Sequence, residues 1–201
     1  MIDNYMKKFL KNKKTISYIL SIILVDIALI MLLCNAAAAV DRDELRLKAG
    51  LDLFPSLLTA DLDITKKQGS DGFLRLVLIY TDNKSRALEM SRTLMALKKI
   101  RGVPIRAEIS NDLTMSSFRG DPPAGIFLTQ PLGNELNNVV KYAIDNHIIL
   151  FSPFKGDVEN GALGGLHISD RVLPFINMTS MKSSGIQIKQ FFIRVSVIYE
   201  P

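Results

Sequence analysis

From residue 40 onward the apolar and polar positions switch between two periods. Leu45, Leu47, Ala49, Leu53, Phe54, Leu57 and Leu58 recur near helical spacing, so residues 42–59 read as a helix that Pro55 kinks or breaks. Asp61 to Gly72 is polar and reads as a loop. Phe73 to Tyr80 is almost wholly apolar, the pattern of a strand buried on both faces. Thr81-Asp82-Asn83 has the chemistry of a helix cap. The stripe Ala87, Leu88, Met90, Leu94, Leu97 then predicts a helix over 84–100 with lysines at its end. Val103 to Ile109 alternates, and Pro104 places that strand near a sheet edge. After a loop over 110–123, residues 124–128 predict a short buried strand, 133–146 a helix, and 147–151 another buried strand.

The last third changes character. Ser152 to Gly165 is rich in glycine, and 166–168 with 172–176 reads as a hairpin around Asp170-Arg171. Asn177 has the chemistry to cap a short helix. Apolar positions 186, 188, 191, 192, 195 and 198 fit a final helix, although Val195 and Val197 also suit a strand. The order strand, helix, strand, loop, strand, helix, strand predicts a single α/β layered domain with a mixed, largely parallel central sheet flanked by helices.

The segment before residue 40 follows another grammar. A lysine-rich start is followed by an apolar run from Ile16 to Cys34, interrupted by Ser17, Ser21 and Asp26, and then by four alanines. This is the pattern of an export signal, with the cut after Ala39 and Ala37 at the −3 position. Residues 1–39 are thus a signal peptide and 40–201 the working domain. An uncleaved anchor is the alternative, because the run is near the minimum span for a bilayer. Asp26 opposes that alternative, since a carboxylate inside a membrane is costly. The flanking lysines keep the N-terminus inside and send the rest to the periplasm.

Charge then takes on a narrower meaning. The whole chain carries 25 basic and 20 acidic residues, net +5, but residues 1–39 hold five of the lysines and only two acids. The remaining 162 residues are near +2 and contain no cysteine, because Cys34 lies in the signal. Disulfides and thiolate chemistry are therefore excluded from the cleaved domain. Lys98-Lys99-Ile100-Arg101 is its one dense basic cluster, at a predicted helix end, so nucleic-acid binding is not expected.

Candidate chemistry is sparse. Gly156 to Gly161 has the outer spacing of a phosphate loop, but Ala162-Leu163 replaces the required Lys-Ser/Thr, leaving a flexible turn before a strand. His147 and His167 would form a metal site only if brought together with a carboxylate such as Asp145 or Asp170. Asp61 and Asp63 read as solvated loop carboxylates. No catalytic residue, metal site or cofactor is expected. In an open α/β sheet the loops at strand carboxyl ends form the ligand face. Phe118, Pro122, Pro123 and Phe154 are accordingly the candidate partner-binding residues, with the two phenylalanines as exposed anchors or as core residues folded back.

The C-terminal segment also carries a resemblance. Gly164-Gly165-Leu166-His167-Ile168, then Arg171-Val172-Leu173-Pro174-Phe175-Ile176-Asn177-Met178, then Ser184-Gly185-Ile186-Gln187-Ile188 resembles the closing signature of the YfiR-like periplasmic proteins. The resemblance is close over residues 161–199 and loose over the rest. It implies a small non-enzymatic regulator that docks on the periplasmic sensor domain of an inner-membrane signalling protein, such as a diguanylate cyclase, and represses it. A homodimer is open. The Trp-Pro that follows the first helix in that family is absent, with Ala60-Asp61-Leu62 in its place, and so are the family's cysteines; redox switching is not implied. The alternative class is a small-ligand (solute) binding protein of the periplasm.

Overall fold

The computed structural model describes residues 43–200, together with Leu24 and Ile27. Ala37, Ala39 and the rest of the export pattern lie outside the described residues. The chain divides into two units, Met1–Glu44 and Leu45–Pro201, and the account below concerns the second.

An eight-stranded sheet organises it, in the order β2-β3-β1-β4-β5-β6-β7-β8. The central strands β3 (Val103–Ser110), β1 (Leu74–Ile79), β4 (Gly125–Leu128), β5 (Ile149–Ser152) and β6 (Gly164–Ile168) are all parallel. The two-residue β2 (Lys99–Ile100) runs antiparallel outside β3. On the other side β7 (Val172–Asn177) forms an antiparallel hairpin with β6, and β8 (Val197–Tyr199) is parallel to β7. This is the expected α/β class with a mixed, largely parallel sheet. β1, β4 and β5 are buried because helices cover both faces, which explains their uninterrupted apolar sequence.

One face packs on α1, helical over residues 43–60. The helix runs through Pro55 rather than ending there. Phe54, Leu57 and Leu58 are fully buried, each stabilising the fold by about 1.5–3 kcal/mol. Phe54 meets Phe127 of β4 and Phe151 of β5 at ring separations of 5.5 and 5.8 Å. Glycines make room for this helix: a Cβ on Gly125 would press on Leu58 and Phe54, and one on Gly164 would collide with Leu57. Gly50 lies against Phe151, whereas Ala143 of α3 (Leu136–Asp145) shares a packed space with Leu150. Neighbouring strand residues point to opposite faces, so α1 and α3 cover opposite sides.

Two segments differ from the pattern read in the sequence. Helix α2 (Lys84–Met95) ends five residues before Ile100, because Lys98 takes a left-handed backbone (φ 62°) and Lys99 turns into β2. The basic cluster therefore sits on an edge strand, not on a helix end. The C-terminal stretch divides into α5 (Gln190–Val195) and β8, since Ser196 is extended (φ −90°, ψ 150°). Between β7 and α5 lies the short α4 (Met178–Ser183), capped as expected: the Ser180 N–H donates to Asn177 Oδ1 at 2.9 Å.

The sheet curls, and segments next to its two ends are both tied to the end of α1. Leu62 N–H donates to Gln187 O at 2.9 Å and Lys189 N–H to Ala60 O at 2.9 Å, tying the end of α1 to the segment before α5. From the opposite edge, Arg101 Nη1 donates to the carbonyls of Asp61 and Leu62, both at 3.1 Å.

Candidate functional site

Numbered along the chain, the five parallel strands lie in the order second, first, third, fourth, fifth, which puts the topological switch between β1 and β4. Ligands of open α/β sheets bind outside the carboxyl ends of the strands at that point. Here the position is filled from within. Gln130, two residues past β4, aims Oε1 at the loop after β1. It accepts from the N–H groups of Thr81, Asp82 and Asn83 at 2.9, 2.9 and 3.0 Å. Asn83 in turn caps α2 by accepting from Arg86 N–H at 2.9 Å. The converging donors that would hold a ligand's oxygen already hold the chain's own amide.

The candidate residues from the loops do not form one surface. Phe118 and Phe154 are buried, each 7% exposed, so the anchor reading is corrected to the core reading. Pro123 is buried too, and Pro122 alone is exposed. Phe154 follows the end of β5, whereas Pro122 and Pro123 lead into the start of β4. They therefore belong to opposite ends of the parallel strands. The long β3–β4 connection contains no α-helix, only a 3-10 turn over Ser116–Phe118, and its apolar residues turn inward. Met115 and Phe118 are its buried anchors. Asp112 holds the segment together by accepting from Thr114 and Ser117 N–H, both at 3.0 Å, and from three hydroxyls, so its carboxyl stays well below the usual range. Arg75 clamps its end through Asp121 at 2.6 Å and also reaches Glu108 at 2.9 Å.

Other singled-out residues have structural work. His147 Nδ1 lies 2.6 Å from Ser184 O, and the His167 ring meets the edge of Phe175 at 5.8 Å. Among the described residues, no three His, Cys, Asp or Glu side chains converge as a metal site would require. The turn Gly156–Gly161 is tied down: Ser152 Oγ donates to Asp157 Oδ2 at 2.5 Å, Asn177 Nδ2 to Val158 O at 2.7 Å, and Ser180 Oγ to Gly161 O at 2.8 Å. Asp61 departs from the solvated reading. It is 1% exposed, and Lys67 Nζ sits 2.7 Å from its Oδ2. Asp63 keeps that reading, with Lys66 beside it at 2.6 Å on the surface.

The feature that sequence reasoning missed is a groove over α1 between β2 at one edge of the sheet and α5. It is an open recess of about 410 Å³. Pro55, Ser56 and Thr59 supply one wall, Leu97, Lys99 and Ile100 a second, and Phe191 with Phe192 the third. Phe192 is buried, but Phe191 is 59% exposed and Leu97 49% exposed. The pattern marked Leu97 and Phe191 as helix-stripe core positions. Both became surface residues when α2 stopped early and α5 proved short. No single segment contains the groove, so spacing along the chain held no signal for it.

No protein-family model matches the chain, and no curated protein does either. Among solved structures, the fold is similar to a conserved domain protein from Vibrio cholerae, at 12% identity, 67% coverage of this chain and TM-score 0.49. It is also similar to an ABC domain in complex with L-Trp from Streptococcus pneumoniae, at 9% identity, 71% coverage and TM-score 0.50. This chain spans 57% and 62% of those two proteins. Likeness at this identity concerns the fold alone.

Proposed function

We propose that the chain is a non-enzymatic regulator that works in the periplasm by docking on the outer domain of an inner-membrane signalling protein and lowering its output. The observation that carries this reading is the groove between α1, β2 and α5, with Leu97 and Phe191 held at the surface. Exposed aromatic and aliphatic groups beside a recess are the usual anchors of protein contacts. The N-terminal export pattern and the YfiR-like closing segment support the location and the partner class. The closed switch point favours a protein partner over a small molecule, because a ligand there would first have to displace Gln130.

The test is recovery of partners from cells making the tagged full-length chain, with cyclic-di-GMP measured on deletion. A membrane signalling protein that copurifies, with cyclic-di-GMP rising on deletion, is expected. No membrane partner together with unchanged cyclic-di-GMP contradicts the reading.

A second reading is a small-ligand binding protein. It draws on the fold likeness to the domain solved with L-Trp. A thermal-shift series over amino acids, L-tryptophan included, discriminates the two: a saturable rise in Tm for one compound favours this reading.

A further inference from the structure

The groove also suggests what kind of surface enters it. We infer that it takes an amphipathic α-helix whose apolar stripe is flanked by carboxylates, an inference that rests on the docking function proposed above. Shape comes first. The groove is an open recess of about 410 Å³ between three walls, which an occupant that projects side chains fills and a flat bilayer surface does not. An added β-strand is also a poor fit. The edge beside the groove is β2, only two residues long and flanked by left-handed Lys98 (φ 62°) and Arg101 (φ 46°), with Lys99 on the strand itself. Short, lysine-bearing edges of this kind resist strand pairing. A helix remains, laying an i, i+3, i+4 stripe against Leu97, Ile100 and Phe191.

Charge decides the flanks. Lys99 is the only ionisable residue in the lining. Lys98 adjoins it, and Arg194 lies three residues after Phe191, on the same face of α5. Among the described residues none of these three cations has a carboxylate partner. On the α1 wall, Asp52 lies one turn before Pro55 and Ser56, with Lys48 one turn further back, so that side adds no net charge. The rim is therefore positive around an apolar floor, and carboxylates on the incoming helix complement it.

The test uses the full-length chain in zwitterionic nanodiscs, with empty discs as the blank, and two labelled 18-residue helical peptides. One has a leucine stripe with glutamate flanks; its twin has lysine flanks. The expected result is that the acidic peptide binds at least about tenfold tighter by fluorescence anisotropy, with the preference shrinking as salt rises. Lys99→Glu with Arg194→Glu reverses the preference. Leu97→Asp and Phe191→Asp, at exposed positions where the circular dichroism stays native, abolish binding. Equal affinity for the two peptides, or binding that survives Leu97→Asp, overturns the inference. So does a doubling of mass on sedimentation that Leu97→Asp removes and the acidic peptide does not compete with. If the copurified partner is lost with Leu97→Asp while the peptides bind alike, the docking function stands and the acidic-helix inference fails.

Discussion

The guanidinium of Arg101 donates to the main-chain carbonyl of Asp61 at 3.1 Å, joining one edge of the sheet to the end of α1. The same nitrogen reaches Leu62 O, and β2, immediately before Arg101, forms part of one wall of the groove. Arg101 occupies a left-handed backbone (φ 46°) just ahead of Gly102 (φ 85°), a position where a side chain adds strain. Side chain and backbone thus pull in opposite directions. Arg101→Ala loses the two hydrogen bonds and keeps the strain, costing about 1–2 kcal/mol in urea unfolding. Arg101→Gly loses the bonds but relieves the backbone, and is expected to cost less. The reverse ranking would contradict this account of the turn.

Gln130 makes a second prediction. Its amide oxygen receives three N–H groups at the start of α2, a setting that favours negative charge. Gln130→Glu should stabilise the domain by about 0.5–1 kcal/mol at pH 7. The bound carboxylate's pKa falls in the folded state. The gain is therefore present above the unfolded value near about 4.3 and disappears as pH falls through the lowered folded value. Melting curves at pH 7 and pH 3 check both halves.

Asp157 has the opposite sign. Burial raises its carboxyl above the ordinary value of 3.8, with the Ser152 hydroxyl opposing and nearby Glu159 adding to the rise. An acid raised by folding weakens the fold wherever it must ionise. The penalty is absent below the unfolded value and complete above the raised one. Asp157→Asn keeps an oxygen for Ser152 and removes the charge. It should raise Tm at pH 7 and leave it unchanged at pH 3, as calorimetry can show.

The glycine pair at the start of β6 is expected to tolerate little. A Cβ on Gly165 would stand 2.5 Å from Ser152 O, a backbone atom that cannot give way. Gly165→Ala should cost about 2–3 kcal/mol. At Gly164 the obstacle is the tip of Leu57, which can rotate, so Gly164→Ala should cost less despite equal burial. Equal costs would place the constraint elsewhere.

Much of the sheet was legible because burial on both faces writes itself as unbroken apolar runs, as in Leu74–Ile79 and Ile149–Ser152. The Asn177 cap was legible for a local reason: its side chain needs only the N–H three residues on. What stayed hidden depends on distant partners. Asp61 looks like a loop carboxylate until Lys67 and the bridge to Ile188 enclose it. Phe118 looks like a loop anchor until its carbonyl receives the Tyr142 hydroxyl at 2.9 Å and its ring joins the core. β2 escaped because two residues carry no periodicity, and its absence from the reading also concealed the groove. Strand ends are where a parallel sheet presents a surface by rule, whereas the groove lies beside the edge strand β2, against α1 and α5.

Photocrosslinking tests the docking claim most directly. A benzophenone amino acid replaces Phe191 in the groove or, as the control, exposed Asn137 on α3, across the sheet. The full-length chain is expressed in cells, irradiated, and its crosslinked peptides mapped. The account predicts one discrete adduct with the outer domain of a membrane protein from position 191 and none from 137. Equal adducts from both positions, or none from 191 while the protein still copurifies with a membrane partner through another face, would contradict it.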